Sequence, residues 1–161
     1  MDQVIIRRPT IKDLAALFAL WKEQTVFHYE LDPAYYTPSA ADEDKEFEKY
    51  FTNALATSDP YFFVAEVQGI LVGFITYKKG VANYFDTTIQ EYGWVLELFI
   101  DSEYRNHGVG AKLMEEAAKF FKSEGLQYVK VEVSSHNTNA TQFYQKNGFV
   151  SHVDVMYKKI T

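Results

Sequence analysis

The sequence predicts an α/β (α+β) protein with a mixed central sheet of about six or seven strands and helices on both faces. Short runs rich in β-branched and aromatic residues alternate with turn residues, as in strands. Other stretches repeat apolar residues every three or four positions, which is typical of amphipathic helices. From residue 101 onward the two patterns alternate, which indicates helices packed against a sheet.

Length and composition limit the class of protein. The chain has 161 residues, so we expect one domain over residues 1–161. Hydrophobic residues make up 47% and charged residues 24%, as in folded proteins. Cysteine is absent, which excludes disulfides and acyl-cysteine chemistry. The longest apolar run, Leu14 to Trp21, is too short to span a membrane, and the N-terminus lacks a signal-peptide pattern. We therefore expect a cytoplasmic protein without membrane contact.

The charge balance bears on the partner. The chain carries 22 acidic and 16 basic residues, a formal net charge of −6. Nucleic-acid binding requires a basic face, so we expect no nucleic-acid partner. An acidic surface suits a cationic partner better.

The N-terminal half begins with a strand, Val4 to Arg7, that ends before Pro9. A first helix is predicted after Thr10, and its apolar positions are Ile11, Leu14, Leu17, Phe18 and Trp21. Two prolines place Leu31 to Pro38 in a loop. Ser39 is the predicted cap of an acidic second helix.

Strands dominate the centre of the chain. Tyr61 to Val67 and Leu71 to Tyr77 are predicted to form a hairpin around Gly69. Tyr92 to Ile100 is strongly β in character and is expected to be largely buried.

The C-terminal third alternates helices and strands. Apolar residues at every fourth position, Val109, Leu113, Ala117 and Phe121, predict a helix that begins inside the glycine-rich stretch and ends at Gly125. The pattern then predicts a strand over Tyr128 to Val133 and a helix over Thr138 to Gln145. A last strand is predicted over Phe149 to Lys158.

A glycine-containing turn joins the buried strand to the following helix. Gly108 and Gly110 allow a ligand to approach the backbone, and the start of a helix attracts phosphate oxygens. The turn does not fit the Walker loop, which needs Ser or Thr after Gly-Lys. It does not fit the dinucleotide fingerprint either, because Leu113 stands where that motif has a small residue. The observed spacing is Arg105-x-x-Gly108-x-Gly110.

With this spacing the sequence resembles the GNAT superfamily of acyl-CoA-dependent N-acyltransferases. A second stretch supports the resemblance, since Asn137, Ala140, Tyr144 and the pair Gly148-Phe149 follow the family's downstream pattern. The resemblance implies a GNAT-like domain that binds acetyl-CoA and releases coenzyme A. It also implies an N-acetyltransferase that transfers the acetyl group directly to a primary amine of a small molecule or peptide. A non-catalytic acyl-CoA-binding or sensing domain is the alternative.

The resemblance also implies which residues bind the cofactor. The pantetheine arm is expected in a gap between the fourth and fifth strands, against Leu98, Phe99 and Ile100. The diphosphate is expected to bind the turn and the arginine that begins the family's motif. These residues are Arg105, Asn106, His107, Gly108, Val109, Gly110 and Ala111. Asn137 and Tyr144 are expected to contact the pantetheine or thioester end.

Three residues are candidates for the acid–base chemistry. The family often places at the position of Tyr144 the donor that protonates the leaving thiolate, a role that a tyrosine can perform. Glu97 is the first candidate for the base and Glu132 the second, although the family often has two adjacent acids where this chain has Leu96-Glu97.

The remaining predictions concern metals and partners. No two histidines have the spacing of a helical metal site, so we expect no metal. An acidic and aromatic mouth is predicted to favour a cationic acceptor, and its candidate residues are Tyr29, Asp32, Tyr35, Tyr36, the acidic run 42–48, Tyr84, Phe85 and Asp86. A homodimer is a further expectation from the resemblance.

Overall fold

A computed structural model of the chain describes residues 3–37 and 42–160. It contains one sheet of five strands in the order β1-β2-β3-β4-β5. The strands are β1 (Val4–Arg7), β2 (Tyr61–Val67), β3 (Ile70–Val81), β4 (Glu91–Ile100) and β5 (Val129–Val131). Strands β1 to β4 pair antiparallel, whereas β5 pairs parallel to β4. The predicted α/β class with a mixed sheet is confirmed, with fewer strands than the six or seven expected.

The predicted last strand, Phe149 to Lys158, is wrong. Residues 149–160 form no ladder with any described strand. Six of their large apolar side chains are exposed, namely Val150, Val153, Val155, Met156, Tyr157 and Ile160. The alternating sequence fits a strand, but a strand requires a neighbour that pairs with its backbone. Strand β5, at the edge of the sheet, is three residues long, shorter than the predicted Tyr128 to Val133, and therefore offers little edge for pairing.

The described residues form four α-helices, namely α1 (Leu14–Leu31), α2 (Glu43–Thr57), α3 (Val109–Ser123) and α4 (Thr138–Lys146). The predicted cap Ser39 lies outside the described residues. Helix α3 follows its predicted periodicity, because its four buried residues are Val109, Leu113, Ala117 and Phe121. None of the helices within the described ranges is long and apolar enough to cross a membrane.

The helices cover both faces of the sheet. Helices α1 and α2 pack on one face through a cluster that includes Leu17, Phe47, Phe51, Phe74 and Phe99. Helix α3 packs on the other face through a cluster that includes Ile75, Tyr77, Val95, Leu113 and Phe121. The predicted layering is therefore confirmed.

Two irregularities of β4 shape the site. The register across β3 and β4 shifts between Tyr77, which pairs with Val95, and Thr76, which pairs with Glu97, so Leu96 is an extra residue in β4. The parallel ladder between β4 and β5 ends at Val95 and Val131. Beyond this point β4 continues to Ile100 without pairing to β5, and a cleft opens between the two strands.

Candidate active site

The cleft between β4 and β5 has a volume of about 420 Å³. Helix α1 forms one wall with Trp21, Gln24, Thr25 and His28. Strand β4 contributes Leu96, Glu97 and Leu98, and the segment after β5 contributes Glu132 to Ser134. Asn137, which precedes α4, and Ala140 and Tyr144 of α4 also line the cleft, as do Tyr36 and Thr37. The fold thus brings five of the predicted site residues, Glu97, Leu98, Glu132, Asn137 and Tyr144, into one cavity.

Glu97 has the most unusual environment in the cleft. Its Oε2 atom is inaccessible and makes no hydrogen bond to any described residue. Burial raises the pKa of Glu97 to about 7, and the polar hydrogens of Trp21 and Thr76 limit the rise. A carboxylate that titrates near neutral pH is suited to accept a proton and release it again.

Glu132, the second candidate for the base, differs from Glu97 in exposure and pairing. Its side chain is 67% exposed and forms an ion pair of 2.7 Å with Lys130. Lys130 itself lies over the ring of Trp94, 4.6 Å from its centroid. Glu132 is exposed and has an ion-pair partner, whereas Glu97 is buried and forms no ion pair with a described residue. Glu132 is therefore the weaker candidate for proton transfer.

Tyr144 lies on α4 with its ring between two aromatic neighbours. The ring centroids of Phe143 and Phe149 are 5.2 and 5.3 Å away, both in edge-on arrangements. Burial raises the pKa of Tyr144 to about 12. The hydroxyl therefore keeps its proton throughout the physiological pH range, so it can serve as a proton donor and not as a general base.

The turn between β4 and α3 presents backbone N–H groups. In the part of the chain that the structure describes, the N–H groups of residues 106–111 donate no hydrogen bond. Asn106 and Gly108 have positive φ angles, 63° and 79°, and Gly108 caps the 15-residue α3. A Cβ atom added at Gly108 would meet nothing within 4 Å, so the open space lies beside the free N–H groups. These features fit an anionic diphosphate.

Arg105 anchors this turn to the rest of the fold. Its Nε donates a hydrogen bond of 2.9 Å to the carbonyl oxygen of Ile100. Its guanidinium lies over the rings of Phe27 and Phe99, 5.4 and 5.5 Å from their centroids. The side chain thus connects the turn to β4 and α1, and a contact with the cofactor stays a prediction.

Asn137 has a structural role beside its predicted one. Its Oδ1 accepts a hydrogen bond of 3.0 Å from the N–H of Ala140 and so caps α4. Its amide nitrogen donates no hydrogen bond to a described residue, and Asn137 lines the cleft.

A second cavity adjoins the cleft under α2. This α2 pocket has a volume of about 470 Å³ and is lined by Trp21, Glu46, Phe47, Tyr50, Leu96 and Glu97. Trp21, Leu96 and Glu97 line both cavities, so the cleft and the α2 pocket share a wall. Of the predicted acceptor residues, Glu46 faces the α2 pocket and Tyr36 faces the cleft. Phe85, which is 98% exposed, lines neither.

The sequence analysis placed Tyr29 of α1 at the acceptor mouth and missed the residues of this helix that line the cleft. Trp21, Gln24 and His28 follow one another at helical spacing and face the cleft together. The ring of His28 stacks on Tyr36 with centroids 4.9 Å apart, and burial lowers the pKa of His28 below its usual value. The available signal was the polar Gln24 and His28 on an otherwise apolar helix stripe.

Comparison with known proteins shows the family of the chain. The model of the acetyltransferase (GNAT) family matches residues 18–149, and the chain belongs to this family. An uncharacterized N-acetyltransferase of Methanocaldococcus jannaschii is 31% identical over 101 residues, which cover 62% of this chain and 43% of that protein. An N-alpha-acetyltransferase of Sulfurisphaera tokodaii is 32% identical over 104 residues, which cover 62% of each chain. The chain thus spans less than two thirds of the length of these relatives.

A solved structure shares the fold over nearly the whole chain. The aminoglycoside N-acetyltransferase AAC(6')-Iy, in complex with CoA, has a TM-score of 0.70 to this chain and 18% sequence identity. The match covers 99% of this chain and 96% of that one. At this level of identity the similarity shows the common fold alone.

Proposed function

We propose that the protein transfers the acetyl group of acetyl-CoA to a primary amine of a small molecule or peptide, by direct transfer in a ternary complex. One observation carries the proposal: Glu97 and Tyr144 line the same cleft. Direct acyl transfer to an amine needs both a proton acceptor for the amine and a proton donor for the leaving thiolate. The solved relative bound to CoA supports coenzyme A as the carrier.

When bound, acetyl-CoA supplies an acetyl group activated as a thioester. The N–H groups of residues 106–111 would bind its diphosphate, and the unpaired part of β4, Leu98 to Ile100, would bind its pantetheine arm. A backbone N–H of this segment would polarise the thioester carbonyl. The pantetheine arm would thus bind main-chain groups of β4 that do not pair with β5.

Glu97 then accepts a proton and Tyr144 donates one. The Glu97 carboxylate takes one proton from the amine, directly or through water, so that the nitrogen lone pair is free. The new C–N bond forms as the C–S bond breaks, and Tyr144 donates its hydroxyl proton to the leaving sulfur. The nitrogen, which now carries one proton too many for an amide, gives that proton to the Tyr144 oxygen and so restores the hydroxyl. Burial raises the pKa of Tyr144 to about 12 and would also raise that of a thiol in the same cleft, so the transfer between them stays feasible.

We further propose a cationic acceptor. The net charge of −6 favours cations over anions. Glu46 and the aromatic residues Trp21, Phe47 and Tyr50 give the α2 pocket a lining that suits an ammonium group. The aminoglycoside and N-alpha-acetyltransferase names of two relatives fit a polyamine-like small molecule and a peptide terminus, respectively.

A homodimer and a cytosolic location complete the proposal. Residues 150–160 carry exposed apolar side chains, and among the described strands none pairs with the outer edge of β5. Such a segment and such an edge favour contact with a second copy. Cell fractionation of the tagged protein would test the location.

The direct test is amine-dependent release of coenzyme A from acetyl-CoA, with spermidine, kanamycin and a peptide with a free N-terminus as acceptors. We expect turnover with at least one cationic amine and a product heavier by one acetyl group. Tight binding of coenzyme A without turnover of any amine would contradict the proposal and favour the sensing domain. Activity confined to neutral or anionic amines would contradict the cationic acceptor.

A further inference from the structure

Gln24 is a buried polar residue whose oxygen has no partner. The residue is 6% exposed and lies in the α1 wall of the cleft. Its Oε1 atom has almost no accessible surface and makes no hydrogen bond to any residue within 3–37 and 42–160. Rotation of the side-chain amide exchanges its oxygen and nitrogen and turns the oxygen toward a ligand in the cleft. Because an unpaired buried carbonyl oxygen lowers stability, such atoms are rare without a functional reason. The position therefore points to a ligand that supplies the missing donor.

The place of Gln24 in α1 makes this polar residue conspicuous. Leu17 and Leu20, on the preceding turns, are 0% and 5% exposed and pack in the core. The helical repeat continues this buried stripe to position 24, where an apolar side chain would pack without a polar penalty. The fold alone thus gives no reason for an amide at this position.

The position of Gln24 in the cleft supplies a reason for the amide. Trp21, one turn before Gln24, lines both the cleft and the α2 pocket, as does Glu97. Gln24 thus lines the same cleft as Glu97, the proposed proton acceptor. A primary amine that has given a proton to Glu97 still carries two N–H groups, and a carbonyl oxygen can accept one of them.

We propose that Gln24 is a positioning residue for the acceptor amine. Its Oε1 accepts a hydrogen bond from an N–H of the amine and thereby directs the nitrogen lone pair away from α1, toward the thioester. This role rests on the proposed function, because it needs an amine in the cleft. It adds an acceptor contact on α1 to the acid–base pair on β4 and α4.

Two variants separate this role from a structural one. Gln24→Leu removes the amide and keeps an apolar side chain, whereas Gln24→Glu keeps a carbonyl-type oxygen and removes the N–H donor. Glu23→Leu, at the exposed neighbouring position of α1, is the matched control. Two KM values are measured by steady-state kinetics with the best amine of the panel. The amine is varied at saturating acetyl-CoA, and acetyl-CoA is then varied at saturating amine. Thermal unfolding gives Tm.

For Gln24→Leu we expect the KM of the amine to rise at least tenfold, the KM of acetyl-CoA to stay within twofold, and Tm to stay the same or rise. Gln24→Glu is expected to keep the KM of the amine within threefold, and Glu23→Leu to match the wild type. An unchanged KM of the amine in Gln24→Leu would overturn the proposal. So would an equal rise in the KM of acetyl-CoA, which would assign Gln24 to the cofactor.

Calorimetry distinguishes a failure of this proposal from a failure of the proposed function. Spermidine, kanamycin and the peptide are titrated into wild-type protein saturated with coenzyme A, and then into Gln24→Leu. Amines that bind the wild type at least tenfold more tightly than Gln24→Leu, without being acetylated, would support the role of Gln24 and contradict the acetyltransferase. If no amine binds the wild type, the role of Gln24 is contradicted as well.

Discussion

Glu97 lies opposite Thr76 in the β3–β4 ladder, one residue after the bulge at Leu96. Residues two apart in a regular strand face the same side of a sheet, so an unbulged β4 would turn Glu97 toward α3 with Val95. The extra residue instead places Glu97 beside Trp21 and Tyr50, under α1 and α2. The bulge therefore brings the carboxylate into the site.

The first prediction concerns the pH dependence of the reaction. Because Glu97 acts as a base only when ionised, and burial raises its pKa to about 7, kcat/KM should fall below about pH 7 and level off above it. Tyr144, with a pKa raised to about 12, should cause no loss up to pH 10. The profile is measured by initial rates of thiol release between pH 5.5 and 10.

Variants at the two carboxylates assign the acidic limb of this profile. Glu97→Gln should lower kcat/KM by about 10²-fold and abolish the limb near pH 7. Glu132→Gln should keep the limb, since Glu132 is exposed and paired with Lys130. If the acidic limb disappears in Glu132→Gln and persists in Glu97→Gln, then Glu132 and not Glu97 is the base.

The second prediction concerns the stability of the fold. Burial raises the pKa of Glu97 from its usual range to about 7, so between about pH 4.5 and 7 the folded chain binds more protons than the unfolded chain. The contribution of Glu97 to stability is thus greatest below pH 4.5 and is lost as the pH rises to 7. Glu97→Gln should stabilise the protein at pH 8 by roughly 1 to 3 kcal/mol. Urea unfolding at pH 5 and 8 measures the difference, and an equal effect at both values would refute this explanation.

The third prediction concerns the proton donor. Tyr144→Phe removes only the hydroxyl and keeps the edge contacts of the ring with Phe143 and Phe149. We expect kcat to fall by about 10²-fold while the Kd of coenzyme A changes less than twofold. Tyr128→Phe, at an exposed position before β5, is the control and should behave like the wild type. A normal kcat in Tyr144→Phe would show that the thiolate leaves without this hydroxyl.

Local patterns were sufficient to predict much of the fold. The helical repeat of α3 and the hairpin around Gly69 depend on neighbouring residues, and both occur in the structure. Gln68 and Gly69 have positive φ angles of 52° and 81°, as a tight hairpin turn requires. The failure at residues 149–160 has the opposite cause, because pairing depends on a neighbour that the local sequence does not reveal.

The same distinction applies to the site. The turn around Gly108 and the position of Tyr144 belong to sequence motifs and could be predicted. The preference for Glu97 over Glu132 could not be justified physically without the bulge at Leu96, which depends on the register with β3. Gln24 was missed because its unpaired oxygen is a property of packing between α1 and the sheet.

The fourth prediction concerns the exposed C-terminal segment. If residues 150–160 contact a second copy, the full chain should form a dimer at micromolar concentration and a chain that stops at Phe149 should be monomeric. Light scattering after size-exclusion chromatography measures both masses. The triple variant Val153→Ser, Val155→Ser and Tyr157→Ser keeps the length and should also be monomeric. A monomeric full chain would contradict the dimer.

Coenzyme A titrated calorimetrically into wild type, Gly110→Asp and Gly110→Asn tests the central claim, that the free N–H groups of residues 106–111 bind the diphosphate. A Cβ atom at position 110 would lie 3.4 Å from the ring of Phe143, a contact common to both variants, so they differ mainly in charge. We predict that Gly110→Asp weakens binding at least tenfold more than Gly110→Asn does, because a carboxylate would repel the phosphates. Equal affinities of the three proteins would contradict the account.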